Sequence, residues 1–298
     1  MIELMVVVAL IGVLVALLMA ALGKVRSLGE RVRCANNLRQ IGLACHHYHD
    51  LEGSFPPGFT ADPHTVGPDV STPGWGWAVY ILPHLEQGNL YSSLDMTKPI
   101  EAPENAKAIQ TRVPLLECPS DPNLPDHFPI SDDTGAVICE AAPSSYAATF
   151  GIGDLFVDVP GDREGVFYPN SHVRLTDIID GTSETVLIGD RSWTLAQGIW
   201  AGAVNKGILK AGVLNPFPGA TAPAYNLPLA HNNWINIRTD PDGGLDDFAS
   251  NHPGGVNVLF ADGSVRFIAD IVGAGPRHDA FMAMGTMRGS EVVDASDF

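Results

Sequence analysis

The chain has 298 residues, 17 basic against 34 acidic, and a formal charge of −17. Such a field repels phosphate backbones and argues against nucleic acid as a partner. The 31 glycines and 23 prolines argue against a helical bundle and for short strands joined by many turns.

From Leu4 to Gly23 the run LMVVVALIGVLVALLMAALG has no charged residue. About 20 such residues make a helix about 30 Å long, the thickness of the hydrocarbon core, so 4–23 reads as transmembrane. A cleaved secretory signal competes with that reading. Against it stand the missing basic n-region and the length of the run; for it stands the small-residue end MAALG. Glu3 sits at the edge of the run. Within lipid its carboxylate would require a partner, whereas at the headgroup level it would not.

Val25, Leu28, Val32, Ala35, Ile41, Cys45 and Tyr48 then recur at three- and four-residue steps, with one step of six. They predict an amphipathic helix continuing to about Asp50, with Gly53, Pro56 and Pro57 ending it. The whole rod would be about 75 Å long. Cys34 and Cys45 lie about 16 Å apart along it, too far to bridge each other. A bridge from the helix to Cys118, one between Cys118 and Cys139, or free thiols all remain open. His46, His49 and Asp50 fall at i, i+3 and i+4, a face that suits a metal. The helix dipole also favours histidines at that end without a metal.

Beyond Pro57, GWAVYILPHLEQGNLYSSL predicts helix broken at Pro83 and Gly88, NAKAIQTRV a helix, and VPLLECP a short strand. SSYAATF, GVFYPNS, ETVLIGD and NNWINIRT predict strands, and DAFMAMGTMR a closing helix. The stretches 62–75 and 205–230 read as surface loops. Hairpin-linked strands imply a mainly antiparallel sheet. The fold class is α+β: residues 1–50 form the helix and 51–298 a head on which its second half packs.

Asp177, Asp180 and Glu184 in DIIDGTSET could hold calcium, but the alternating register of an EF-hand loop is missing and Asp-Gly-Thr-Ser is an ordinary turn. In HPGGVNVLFADGSVRF, Asp262 and Gly263 predict a two-residue type I′ turn. Phe260 would then face Val265, and one apolar face would collect Val256, Val258, Phe260, Val265 and Phe267. His252 lies at the other end of the first strand, about 30 Å from Asp262 along an extended chain. Unless the chain bends sharply at Gly254 and Gly255, the two are not a catalytic pair: His252 is expected to bond a neighbouring loop and Asp262 to shape the tip. A G-x-S-x-G elbow, a P-loop and a dinucleotide fingerprint are all lacking. The five tryptophans would stack on sugars or serve as buried anchors.

The segment IELMVVVALIGVLVALLMAAL closely resembles the start of type IV prepilins and of type II secretion pseudopilins, where Gly-Phe-Thr-Leu-Ile-Glu-Leu opens the helix. CANNLRQIGLACHHYHDLEGSFPPG resembles the continuation in one subgroup, prepilin-type proteins of unknown function with a His-x9-Asp-Gly motif. That subgroup is also labelled the tenth family of bacterial extracellular solute-binding proteins. GWGWAVYILPHLEQGNLY, CPSDP, GVFYPNSHVRLTDIIDGTSETVLIGDRS, NHPGGVNVLFADGSVRF and RGSEVVDASDF extend the likeness in order to the C-terminus.

The resemblance implies an inner-membrane, single-pass protein with its head periplasmic or extracellular. Its partners would be copies of itself or other pilin-like subunits. Glu3 matches the acid that pairs with a neighbouring subunit's N-terminal amine, and His252, Asp262 and Gly263 carry the family motif. No cofactor is implied, although some pseudopilins hold calcium in a late loop. The sequence departs from the pattern at Met1, where a leader and Gly-Phe-Thr are expected; a start placed too late would account for this. Lys24, Arg26, Arg31 and Arg33 by themselves would keep the head cytoplasmic, and the expected leader would reverse that. Three readings follow: a pilin-like structural protein and not an enzyme, a tethered solute- or glycan-binding module, and a metal-dependent surface hydrolase.

Overall fold

The computed structural model describes residues 1–62, 72–122, 124–152, 165–236, 244–270 and 275–289, except the side chains at 2, 17, 20 and 21. Helix α1 (Ile2–Glu52) runs unbroken until Gly53, whose left-handed φ of 78° lets its N–H reach the His49 carbonyl at 2.8 Å. Strands β1 (Phe59–Ala61) and β2 (Pro73–Gly76) pair, and the short helices α2 (Trp77–Ile81), α3 (Gly88–Ser92) and α4 (Ala106–Ile109) follow. The 3-10 turn at Leu82–Leu85 contains Pro83, so this region breaks where the sequence predicts.

Strands β3 (Phe128–Ser131) and β4 (Val137–Ala141) form a second ribbon, and β5 (Tyr146–Thr149) and β6 (Val186–Asp190) enter the main sheet. A third ribbon, β7 (Ile208–Lys210) with β8 (Thr221–Pro223), precedes β9 (Leu229–Ile235), β10 (Asp247–Phe248), β11 (Gly255–Phe260) and β12 (Val265–Ala269). Helix α5 (Pro276–Ala283) closes the described chain. The main sheet has the order β10-β9-β5-β6-β11-β12. Its β5–β6, β6–β11 and β11–β12 pairs are antiparallel, and β9 is parallel to both β5 and β10. The fold is α+β, with a long N-terminal helix and a mainly antiparallel sheet.

Each face of the sheet carries a core. On one face Cys34, Leu38, Ile41 and Cys45 of α1 are fully buried, in a cluster that includes Leu259 of β11. Gly42 brings the helix close: a Cβ there would stand 2.7 Å from Leu259 Cδ1. On the other face Val256, Val258, Phe260 and Ile268 join Phe281 and Met284 from the α5 region. Burial of a side chain such as Leu38 or Ile41 contributes about 1.5–3 kcal/mol.

The burial of α1 departs from the expected stripe. Val25, Leu28 and Val32 remain 65, 53 and 55 % exposed, and packing on the head starts near Cys34. These three residues continue the apolar surface of the first half, where Leu4, Val8, Leu14 and Leu18 are also exposed. Among the described residues no helix is long and apolar enough to cross a membrane.

Several local expectations need correction. Residues 114–116 form a 3-10 turn instead of a strand, because Pro114 starts a turn and cannot donate to a ladder. GVFYPNS contributes a single bridge, Pro169 with Phe59; Pro169 lacks an N–H and Asn170 turns the chain at φ 55°. The expected loop 205–230 holds the β7–β8 ribbon and buries Leu209, Tyr225 and Leu227. Most of 62–75 and of the C-terminal match lies outside the described residues.

The β11–β12 hairpin differs from expectation by one residue. Val258 pairs with Arg266 and Leu259 with Val265. The tip is the three-residue loop 261–263: Phe260 N–H donates to Ser264 O, Gly263 N–H donates to Phe260 O, and Gly263 has φ 84°. This is a type I turn closed by a glycine bulge. The slip turns β12 over, so Ile268 joins Val256 and Val258, while Arg266 lies 4.3 Å from the Phe260 ring centroid. Phe267 instead faces α1, with Arg31 at 4.4 Å from its centroid.

Gly263→Ala, placing a Cβ at positive φ, is expected to lower stability by about 1–2 kcal/mol, read from urea denaturation. An unchanged midpoint would contradict this tip geometry.

Candidate functional site

Three segments far apart in sequence, residues 118–122, 189–192 and 250–252, meet beneath α1. The CPSDP loop is fastened to the helix by the Cys34–Cys118 disulfide, across a separation of 84 residues. Asn37 donates to the Glu117 carbonyl at 2.9 Å and to the Tyr146 hydroxyl at 3.3 Å, and that hydroxyl donates to the Cys34 carbonyl. Cys45 and Cys139 stay free, and burial pushes both thiols up to about 12.

His252 is buried against this bridge. Its Nε2 lies 3.5 Å from Cys118 Sγ and 3.5 Å from Asp190 Oδ2, and its Nδ1 is 3.1 Å from Ser120 Oγ. A bridged sulfur has no proton to give, so Nε2 serves as the N–H and Nδ1 accepts from the Ser120 hydroxyl. Asp190 Oδ2 also accepts from the Asn257 backbone N–H at 2.7 Å and from Asn257 Nδ2 at 2.9 Å. Burial, reinforced by the charge of Asp121, raises the Asp190 carboxyl to about 7. Burial, followed by the charge of Arg31, lowers the His252 imidazole to about 4. The histidine is therefore neutral at pH 7, and its contact with Asp190 is not an ion pair.

A second buried acid lies alongside. Asp121 accepts from the hydroxyls of Ser145 and Ser192, from Asn251 Nδ2 at 2.9 Å and from the Trp193 N–H at 3.2 Å. Burial nonetheless leaves its carboxyl above the usual range. Asp121 and Cys118 line a cleft of about 390 Å³, whose rim carries Arg112 paired with Glu117. Arg191, next to Asp190, is fully buried and donates to the carbonyls of Asn226, Leu227 and Leu229.

The other predicted residues are dispersed. Glu3 is exposed in the first turn of α1. His46 lies against the hairpin tip, where a Cβ on Gly263 would meet its Nε2 at 3.6 Å. His49 Nε2 accepts from the Leu175 N–H at 3.1 Å, and Asp50 is exposed. Asp177 accepts from the Arg174 N–H, and Asp180 from the Gly289 N–H at 2.7 Å, which ties down the chain after α5. Asp262 accepts from the Ser264 N–H at 2.8 Å, at the hairpin tip.

Among the described residues, neither the His46–His49–Asp50 group nor the Asp177–Asp180 group brings three donor atoms within 4.8 Å of one another. Two groups that do so are Cys34–Cys118–His252 and His231–Asp246–Asp247. Trp75, Trp77 and Trp200 are buried and donate to the carbonyls of Lys98, Pro228 and Thr111, which makes them anchors. The sequence reading missed Asp121, Asp190 and Asn251 as site residues, although CPSDP, LIGDRS and NHPGG contain them.

The fold and this buried polar junction define an α+β head carried on a single long helix. Residues 25–275 match SBP_bac_10, described as a protein of unknown function (DUF1559), and the chain belongs to that family. Neither the curated proteins nor the solved structures provide a match.

The two titrating groups oppose each other. A carboxyl raised from 3.8 to about 7 on folding stabilises the fold at low pH and loses that contribution as pH rises through about 7. An imidazole lowered from 6.5 to about 4 stabilises it above 6.5 and loses that contribution as pH falls through about 4. Between these limits the two slopes cancel. Asp190→Asn leaves the histidine slope alone, so the variant should gain about 3 kcal/mol relative to the native chain from pH 4 to 6.5. Parallel curves of urea midpoint against pH would refute the assignment.

Proposed function

We propose that this chain is a membrane-anchored, pilin-like structural protein that assembles through its N-terminal helix, as part of a type II secretion or type IV pilus-like system. The observation that carries this reading is the exposed apolar surface running from Leu4 to Val32, which the head does not cover. An apolar patch of that length requires lipid or another helix. Read from the sequence alone, the uncharged run Leu4–Gly23 has the length of the hydrocarbon core, a criterion the described helix residues by themselves do not meet. Val25, Leu28 and Val32 then offer a stripe for a neighbouring copy beyond it. Glu3, at the end of the rod, would pair with the amine of the next subunit and set the stagger. The head would stand outside the inner membrane, where an oxidising environment favours the Cys34–Cys118 bridge.

A tethered solute-binding module is the second reading, favoured by the cleft lined by Arg112, Glu117 and Asp121. It predicts a saturable rise in melting temperature with one class of small solute.

The assembly reading is tested in bacterial membranes with a photo-crosslinking residue at Val13 or Val32 of the full chain. A ladder of dimers and larger products is expected, reduced several-fold by Glu3→Gln at equal membrane content. A protein released by alkaline washing, or one that yields only monomers, would overturn it.

A further inference from the structure

The junction under α1 has the donor set of a metal site as well as that of a disulfide. Cys34 Sγ, Cys118 Sγ and a ring nitrogen of His252 all lie within 4.8 Å of one another. The Nε2–Cys118 Sγ distance of 3.5 Å is already about the 3.5 Å edge of a tetrahedron with metal–sulfur and metal–nitrogen bonds of about 2.3 and 2.0 Å. Ser120 Oγ, at 3.1 Å from Nδ1, orients the ring so that Nε2 faces the sulfurs. Asp190 reaches Nε2 at 3.5 Å, is 1 % exposed, and its Oδ1 has no hydrogen-bond partner among the described residues. Cys118 lines the cleft, so small molecules can enter.

We propose that, once the Cys34–Cys118 bridge is reduced, Cys34, Cys118 and His252 form a binding site for a borderline-soft divalent cation, zinc above all. Asp190 touches Nε2 but does not belong to the group whose donor atoms all lie within 4.8 Å of one another. An external dithiol supplies the two electrons: the S–S bond breaks, both dithiol protons pass to the cysteines, and the reductant leaves as its own disulfide. The cation then displaces one proton from each thiol. The imidazole moves its N–H to Nδ1, where it donates to Ser120 Oγ, and presents the Nε2 lone pair. Thiolate and imidazole donors in this number suit zinc. The bound cation would fasten α1 to the CPSDP loop across the contact that the disulfide had held. This site does not depend on what covers the first half of the helix.

The test uses the full chain in detergent, reduced with a dithiol that is then removed without air, and titrated with Co2+ alone. One Co2+ per chain and a near-ultraviolet thiolate-to-cobalt band are expected after reduction, and neither before it. His252→Ala should weaken binding at least about 10-fold, and Ser120→Ala by about 10-fold. Cys45→Ala with Cys139→Ala should leave binding unchanged. A reduced chain that keeps its circular dichroism and shows no band would overturn the site, as would a band indifferent to both His252→Ala and Ser120→Ala. If reduction unfolds the chain, refolding on Co2+ addition supports the site and failure to refold rejects it.

Discussion

The grip of α1 on β11 is the contact on which the remaining architecture rests. Gly42 lets the helix sit close to Leu259, and Cys34, Leu38, Ile41 and Cys45 bury one continuous seam there. The disulfide adds a covalent tie over a separation of 84 residues, a closure that stabilises by roughly 4.5 kcal/mol through the unfolded chain. That tie also fixes the CPSDP loop in space. With the loop held, Asp121 and Ser120 come to face Asn251 and His252, which lie in the bend between β10 and β11.

The two buried acids of this junction illustrate different solutions to one electrostatic problem. Asp121 is surrounded by donors from Ser145, Ser192, Asn251 and Trp193. Asp190 collects both Asn257 donors on a single oxygen and leaves the other without a partner. An unpartnered buried oxygen is costly unless the group is protonated. That is why Asp190, more than Asp121, can exchange a proton near neutral pH, and why it stands against a histidine that stays neutral. The nearby charge of Asp121 adds to the effect on Asp190.

The helix could be read from the sequence because its signals are local: an uncharged run, a three- and four-residue stripe, then Gly53 and two prolines. Its depth of burial could not, because the apolar list mixes two faces: at 3.6 residues per turn Val25, Leu28 and Val32 lie on the side of the helix opposite Cys34, Leu38, Ile41 and Cys45, and stay exposed. The hairpin was visible in Asp262-Gly263, yet its register depended on whether Gly263 took one positive φ or shared two with Asp262, a choice that flips every side chain of β12. The cysteine pairing stayed open because nothing local brings residue 118 to residue 34. The junction itself was present only as scattered motifs, each ordinary alone, that folding brings together. The ribbons β1–β2, β3–β4 and β7–β8 are too short to show alternation.

Between Gly23 and Cys34 the helix touches the head through Arg31 on Phe267, while Lys24, Val25, Arg26, Leu28, Val32 and Arg33 stay exposed; the interval carries Lys24, Arg26, Arg31 and Arg33 against a single acid, Glu30. Ten residues of helix are about 15 Å long, so the acidic head is held away from whatever encloses the apolar tip. The spacer is cationic, the body it carries is strongly anionic, and the two signs are segregated along one rigid axis. A surface bearing anionic headgroups would attract the collar and repel the body. On the proposed reading, the same collar would thereby keep the head upright over the surface that holds the rod.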